Sequence, residues 1–206
     1  MTSAALPLPL LGSLLFTLMG PIAIMPLFAA ATAGADARLC RQIALRAYLV
    51  SLVTLAVAVF VGAGAMAGVG TSNSSLIIAA GLILTLTALR NIFGGAASAK
   101  TDQPTPPNVT LGFMPIAIPG IVTPVGVAVL IIFVSYFPGP ADKLAIMGVV
   151  AAIMTLNLGA MLVARWFMTH VGAAPLLVLG AVFGVLQAAM GMEMLISGLS
   201  LSRVVN

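Results

Sequence analysis

The chain alternates long apolar stretches with short polar connections along its whole length. An α-helix rises about 1.5 Å per residue, so about 20 apolar residues are needed to cross the hydrocarbon core of a bilayer. Six stretches reach that length, and we predict that each forms a membrane-spanning helix. They cover approximately residues 7–32, 43–67, 75–95, 109–135, 143–166 and 173–200.

The longest polar connection, at about residues 96–108, divides the chain near its middle and contains three prolines. We therefore predict a single transmembrane domain over residues 1–206, with one half at about 7–95 and the other at about 109–200. Each half has three spans, which is an odd number, so the second half enters the membrane from the opposite side. The fold class predicted is all-α, with two inverted three-helix repeats.

Two of the six stretches are interrupted by prolines within the same short phrase. Pro-Ile-Ala-Ile occurs at 21–24 in the first stretch and at 115–118 in the fourth, and Pro26, Pro119 and Pro124 follow nearby. Proline removes a backbone donor from a helix and clashes with the carbonyl one turn back. Unpaired backbone survives in a bilayer only inside protein or beside a water-filled cavity. We predict that helices 1 and 4 are discontinuous.

These two breaks are the predicted substrate site, because broken helices in matching places of two halves mark the binding site of many transporters. Each break offers free N–H groups, suited to a carboxylate, and free carbonyl groups, suited to an ammonium group. The alternative is that the prolines and glycines only kink the spans for packing. The predicted substrate-binding residues are Gly20, Pro21, Ala23, Ile24, Pro26, Ala117, Pro119, Gly120, Thr123, Pro124 and Gly126.

Composition and charge support a membrane protein and suggest its orientation. The chain is 62% hydrophobic and 6% charged, with a mean hydropathy of +1.24, outside the range of soluble domains. Eight Lys and Arg residues are too few to form a nucleic-acid face. Six of them lie near the connections between spans 1–2, 3–4 and 5–6. We therefore predict a protein of the cytoplasmic (inner) membrane with this face toward the cytoplasm and both termini on the outer side. The six are Arg38, Arg41, Arg46, Arg90, Lys100 and Arg165; the other two are Lys143 and Arg203.

Few polar side chains fall within the predicted spans. Glu193 is the only acidic residue well inside one, and an intramembrane carboxylate is costly, so it is a candidate for proton coupling. The alternative is that Glu193 reaches the outer interface or is held neutral by a neighbour. Asn157 and Gln187 are expected to bridge helices, which is the commoner role, or to line a path, and the small residues of 180–184 to form a packing face. Cys40, the single cysteine, is expected in a loop.

No segment has the spacing of a nucleotide-binding, hydrolase or metal-ligand motif. We therefore expect a protein that is not an enzyme and that needs no metal or cofactor. A channel would need a ring of carbonyls or charges along an open path, which one pair of proline breaks does not supply.

At the broken segments the sequence resembles the MarC family, six-span membrane proteins also described as neutral amino acid transporters. The resemblance covers essentially the full chain and is carried by residues 20–28, 80–93, 115–124 and 184–193. It implies secondary transport of small neutral amino acids such as glycine or alanine, coupled to a proton or sodium gradient. The expected partners are this solute, the coupling ion and the lipid bilayer. The sequence allows a homo-oligomer but does not predict the number of copies.

Two departures from the family pattern bear on the ligand. Members commonly carry Asp or Asn before the first-helix proline and Asn three residues after it, where this chain has Gly20 and Ile24. The Ala-Gly before the fourth-helix proline is Val122-Thr123 here. The predicted pocket is thus less polar than the pattern implies. The alternative functions are export of another small apolar solute and a non-transporting membrane scaffold.

Overall fold

The computed structural model describes residues 8–93, 108–172 and 174–205, and these residues form helices joined by short turns. The predicted linker at about 96–108 lies outside the described residues except for its last one. In chain order the helices are α1 (Leu8–Met19), α2 (Pro21–Ala31), α3 (Ala37–Val69), α4 (Asn73–Phe93), a 3₁₀ turn (Val109–Gly112), a π turn (Ile116–Ile121), α5 (Pro124–Tyr136), α6 (Pro140–His170) and α7 (Ala174–Val205).

The predicted all-helical membrane fold is confirmed. Within the described residues, five helical segments are long and apolar enough to cross a membrane, and the bent pair Val109–Ile121 and Pro124–Tyr136 makes a sixth. Large apolar side chains such as Val53, Leu86 and Leu156 are exposed on the outer faces of their helices. Such faces are suited to lipid rather than to water.

One helix begins earlier than its apolar stretch predicts. The Oδ1 atom of Asp36 accepts a hydrogen bond from the backbone N–H of Leu39 at 2.7 Å, which caps α3 at its start. The first turns of α3 are therefore helical although they carry arginines. Cys40 lies in these turns and is buried, so the expectation of a loop at this residue was wrong.

Helices 1 and 4 are discontinuous, as predicted, but their breaks differ in form. α1 and α2 make one apolar span, interrupted only at Gly20. The fourth span instead bends by 62° between Ile121 and Pro124. The repeated Pro-Ile-Ala-Ile phrase therefore does not produce two copies of one backbone geometry.

α4 and α7 pack along one another in antiparallel directions through glycines on α7. A Cβ at Gly191 would lie 2.8 Å from the Thr85 nitrogen and 2.9 Å from the Gly81 oxygen. Gly184 faces Ile92 and Gly198 faces Ile78 in the same way. Close helix approach in membranes depends on such small residues. The packing face is thus Gly184, Gly191 and Gly198, spaced by seven; Gly180 of the predicted face has no atom within 4 Å of its Cβ position.

The contacts among helices fit the predicted inverted repeat. α6 packs against α1 and α2, and α3 makes the equivalent contacts with the two short turns and α5. α3 also packs against α6, and α4 against α7; in both pairs the partners occupy the same place in the two halves. If each helix is replaced by its counterpart in the other half, every one of these contacts corresponds to a contact that is also observed, as a repeat requires. The repeat itself stays a prediction.

The two discontinuous spans occupy the middle of the hydrophobic core. Fully buried side chains from both meet those of α3 and α6. The largest are Leu11, Leu15, Ile24, Phe28, Ile43, Leu55, Ile116, Ile121, Leu130, Ile146, Met154 and Met161. The buried part of each break, at Gly20 and at Ile116, Ala117 and Ile121, therefore lies within protein rather than against lipid.

The glycine contact between α4 and α7 predicts a large stability difference between two otherwise similar substitutions. Gly191→Ala places a methyl group against the backbone of α4, and overpacking of this kind costs about 1 to 3 kcal/mol. Gly180→Ala on the same helix meets no atom within 4 Å. Chemical unfolding in detergent micelles should show a lower free energy of unfolding for Gly191→Ala only. Equal stabilities would contradict the packing described.

Candidate functional site

The first break lies at Gly20, which is extended, with φ −80° and ψ 172°. Pro21 begins α2 and has no backbone N–H, so the Thr17 carbonyl loses the donor that a continuous helix would supply. A Cβ at Gly20 would collide with the Phe16 carbonyl oxygen and would lie 3.0 Å from its carbon. Glycine is therefore required where the chain leaves the helix.

Side-chain amides from two other helices bind the carbonyls freed at this break. Gln187 of α7 donates from Nε2 to the Thr17 oxygen at 2.9 Å. Asn157 of α6 donates from Nδ2 to the Met19 oxygen at 2.7 Å, and to its own Ile153 oxygen at 3.2 Å. Both residues were expected to bridge helices, and they do so. The sequence did not show that the free carbonyls of the break are their acceptors.

The second break pairs part of its backbone locally. The N–H groups of Ile118, Gly120 and the C-cap residue Val122 donate to carbonyls five residues back, at 2.8 to 3.2 Å, while Ile118 is extended, with φ −128° and ψ 121°. The Thr123 hydroxyl accepts from the Gly126 N–H at 3.1 Å and caps α5. Pro124 follows as the first residue of that helix. The Thr123 hydroxyl is thus used by the fold, which limits what it offers a ligand.

The two breaks contact each other. A Cβ at Gly120 would lie 2.8 Å from a methyl carbon of Leu27 and 3.5 Å from one of Ile24, both on α2. Gly126, at the start of α5, lies against the side chain of Met19, the last residue of α1. The missing side chains at these two glycines let the segments approach closely. The structure therefore brings the two proline-containing phrases together.

Exposure differs among the predicted site residues, and the Ala23 side chain lies outside the described residues. Within the described part, the buried members show that the centre of the site is closed and tightly packed. Buried are Gly20, Ile24, Ala117 and Gly126; partly buried are Pro21, Pro26, Gly120 and Thr123; exposed are Pro119 and Pro124.

Glu193 lies away from this centre. Its side chain is exposed on α7, two residues beyond Gly191, whose face packs against α4. None of the contacts described at either break includes it. The structure thus gives Glu193 no direct place beside the breaks.

A cavity of about 480 Å³ opens at the other end of α2. It lies between the start of α3 and the last turns of α6, and Phe28 of α2 also lines it. Arg165 donates from Nη1 to the Ala35 oxygen at 2.6 Å and to the Cys40 sulfur at 3.4 Å. Arg41 and Trp166 complete the rim. This open space belongs to the face that the basic residues predict to be cytoplasmic.

Comparison with known proteins identifies the family. Residues 9–202 match the model of a family described as MarC family integral membrane protein. The chain belongs to the MarC family. It is therefore an integral, multi-pass membrane protein. The resemblance read from the broken segments is confirmed.

The chain is also similar to the UPF0056 membrane protein PH0760 of Pyrococcus horikoshii. It is 22% identical over 185 residues, which cover 90% of each chain. No solved structure matches.

The backbone geometry at Gly20 predicts intolerance to the smallest side chain. Gly20→Ala places a Cβ against the Phe16 carbonyl oxygen, so we expect a folded protein of lower thermal stability, with a cost of about 1 to 3 kcal/mol. Gly12→Ala, in the same helix, meets only a Val149 methyl at 3.8 Å and serves as the control. Thermal melting in detergent compares them, and an unchanged midpoint for Gly20→Ala would exclude the proposed backbone geometry.

Proposed function

We propose that this MarC protein is a secondary transporter of small neutral amino acids, such as glycine or alanine. The substrate binds between Gly20–Pro26 and Pro119–Gly126, and alternating access proceeds around these segments. The observation that carries the proposal is the contact between the two breaks in the core, seen at Gly120 with Leu27 and at Gly126 with Met19. Two discontinuous helices that meet in mid-membrane supply a polar backbone in an otherwise apolar fold.

The chemistry of the first break suits a zwitterion. No side chain caps the first turn of α2, where Gly20 holds the cap position, and the N–H groups that follow favour a carboxylate. The last turn of α1 presents carbonyl groups, which favour an ammonium group. A carbonyl oxygen has two lone pairs, so the Met19 oxygen can accept from a substrate while it accepts from Asn157. No charged side chain is needed.

The size of the neighbouring residues favours a small substrate. Ile24 and Ala117 are fully buried beside the breaks, and Gly120 touches α2 without a side chain. A solute that enters must displace these contacts, so each added carbon atom costs packing. Glycine and alanine fit this restriction better than larger amino acids do.

Alternating access requires a path from each side to the closed centre. The 480 Å³ cavity provides the start of one path, on the predicted cytoplasmic side. Phe28 both lines this cavity and is buried in the core. In this proposal a movement of α2 that withdraws Phe28 opens the break to that cavity, while the contacts of Gly120 and Gly126 close the other side.

An ion gradient of protons or sodium is the proposed energy source, and the lipid bilayer is the surrounding partner. Glu193 is the candidate for proton coupling because it is a carboxylate within a spanning helix. Since its side chain is exposed on α7, coupling through Glu193 would act by the position of α7 rather than by contact with the substrate. A second copy of the chain could cover this face in a homo-oligomer.

One observation favours export of another small, more apolar solute as the second candidate. Ile24, Ala117 and Val122 are all buried close to the breaks, and none of them offers a polar side chain. A non-transporting scaffold would show no exchange of any solute.

Counterflow in proteoliposomes tests the amino acid proposal. Labelled glycine or alanine should accumulate against an internal pool of the same amino acid. Gly120→Val should reduce this exchange to background, because its side chain would fill the space against Leu27 and the Pro115 oxygen. Gly64→Val, at an exposed glycine with no atom within 4 Å of the Cβ position, should exchange normally.

The outcomes separate the alternatives. If folded wild-type protein exchanges no neutral amino acid, the amino acid assignment fails. If Gly120→Val folds and exchanges at the wild-type rate, substrate does not bind between the two breaks.

A further inference from the structure

Asn157 has a buried acceptor that the fold does not use. Among the described residues, two buried side-chain atoms lack a hydrogen-bond partner, Asn157 Oδ1 and Ser51 Oγ. Only Asn157 is joined to a break, through the bond from Nδ2 to the Met19 oxygen at 2.7 Å. Its side chain is 1% exposed.

The orientation of this amide follows from its partners. Nδ2 faces two carbonyl oxygens, those of Met19 and Ile153. Reversing the amide would place Oδ1 against both oxygens, where no hydrogen could bind them. The nitrogen must therefore face the break, and Oδ1 must point to the other side of the amide.

An acceptor left without a donor in this position is costly. Burying an unsatisfied polar atom destabilises a protein, and the cost is greatest where no water can replace the missing donor, as in a bilayer. Asn157 lies close to the midpoint of α6, Pro140–His170, and Gly20 lies close to the midpoint of the first span. The free acceptor and the first break are thus both near the middle of the membrane.

We propose that Asn157 Oδ1 accepts a hydrogen bond from the ammonium group of the substrate, which makes Asn157 a specificity-determining residue of the site. This inference rests on the proposed function and names the group that recognises the amine. An ammonium group has three donors. It binds Oδ1 with one of them, and the other two remain for further acceptors.

Gln187 provides a matched control. It also holds a carbonyl of the broken helix, that of Thr17, through a side-chain amide. Its own Oε1 is not among the buried unsatisfied atoms of the described residues. Loss of either residue removes one bond to the break, but only loss of Asn157 removes a buried free acceptor.

The test compares a substrate with the same molecule lacking the amine. Propionate and alanine compete against labelled alanine in counterflow, in wild type, Asn157→Leu and Gln187→Leu. The wild type should prefer alanine strongly. A hydrogen bond to a charged group corresponds to about a ten- to hundredfold difference in affinity, so Asn157→Leu should lower the preference by that factor. Gln187→Leu should leave the preference unchanged.

A second variant covers the case in which Asn157→Leu does not fold. Asn157→Thr keeps a polar side chain, and its hydroxyl is expected to bond the Ile153 carbonyl, as Thr54, Thr85 and Thr155 bond the carbonyls four residues back. The free acceptor that Asn157 Oδ1 provides is then absent, while α6 keeps its helical structure. This variant should show the same fall in preference.

Each remaining outcome overturns a stated part of the account. Absence of amino acid exchange in folded wild type overturns the proposed function and the ammonium ligand together. Exchange with no preference for alanine over propionate in wild type, or with an unchanged preference in the Asn157 variants, overturns the inference alone. An altered sodium dependence with an unchanged preference would assign Oδ1 to a metal cation, which also overturns it.

Discussion

The structure depends on one constraint: backbone groups that proline frees inside a membrane must find partners in protein. Pro21 has no backbone N–H to donate to the Thr17 carbonyl. α1 ends at Met19, and Gly20 separates it from α2, which begins at Pro21. The chain meets this constraint with amides from α6 and α7 at the first break. At the second break the π turn pairs its own backbone. Both solutions require the broken segments to lie at the centre, where helices surround them.

The two breaks consequently differ in the kind of interaction that holds each of them in place. The second is closed by local bonds and by packing of Gly120 against α2. The first is held by single hydrogen bonds from Asn157 and Gln187, which are distant in the chain. Interactions of this kind can be exchanged for interactions with a ligand at little net cost.

Much of the fold follows from the sequence because its signals are local. The length of each apolar stretch predicts a spanning helix, and Pro21, Pro115 and Pro119 predict where two of these helices are broken. The partners of the breaks could not be predicted, since Asn157 is 138 residues from Met19 and Gln187 is 170 from Thr17. A polar residue in a spanning helix indicates that a hydrogen-bond partner exists, but the sequence does not identify that partner. Of the predicted packing residues 180–184, Gly184 faces α4 and Gly180 does not; Gly191 and Gly198 continue the face at seven-residue spacing, which the four-residue pattern did not identify.

The central claim is that a small amino acid binds where the two breaks meet. Hydrogen exchange of the folded protein, with and without saturating alanine, tests it most directly because exchange reports protection at individual backbone segments. The account predicts slower exchange at residues 20–24 and 116–123 when alanine is present, with little change along α4. Protection confined to other segments, such as the cavity residues 35–41, or no protection at either break, would contradict it.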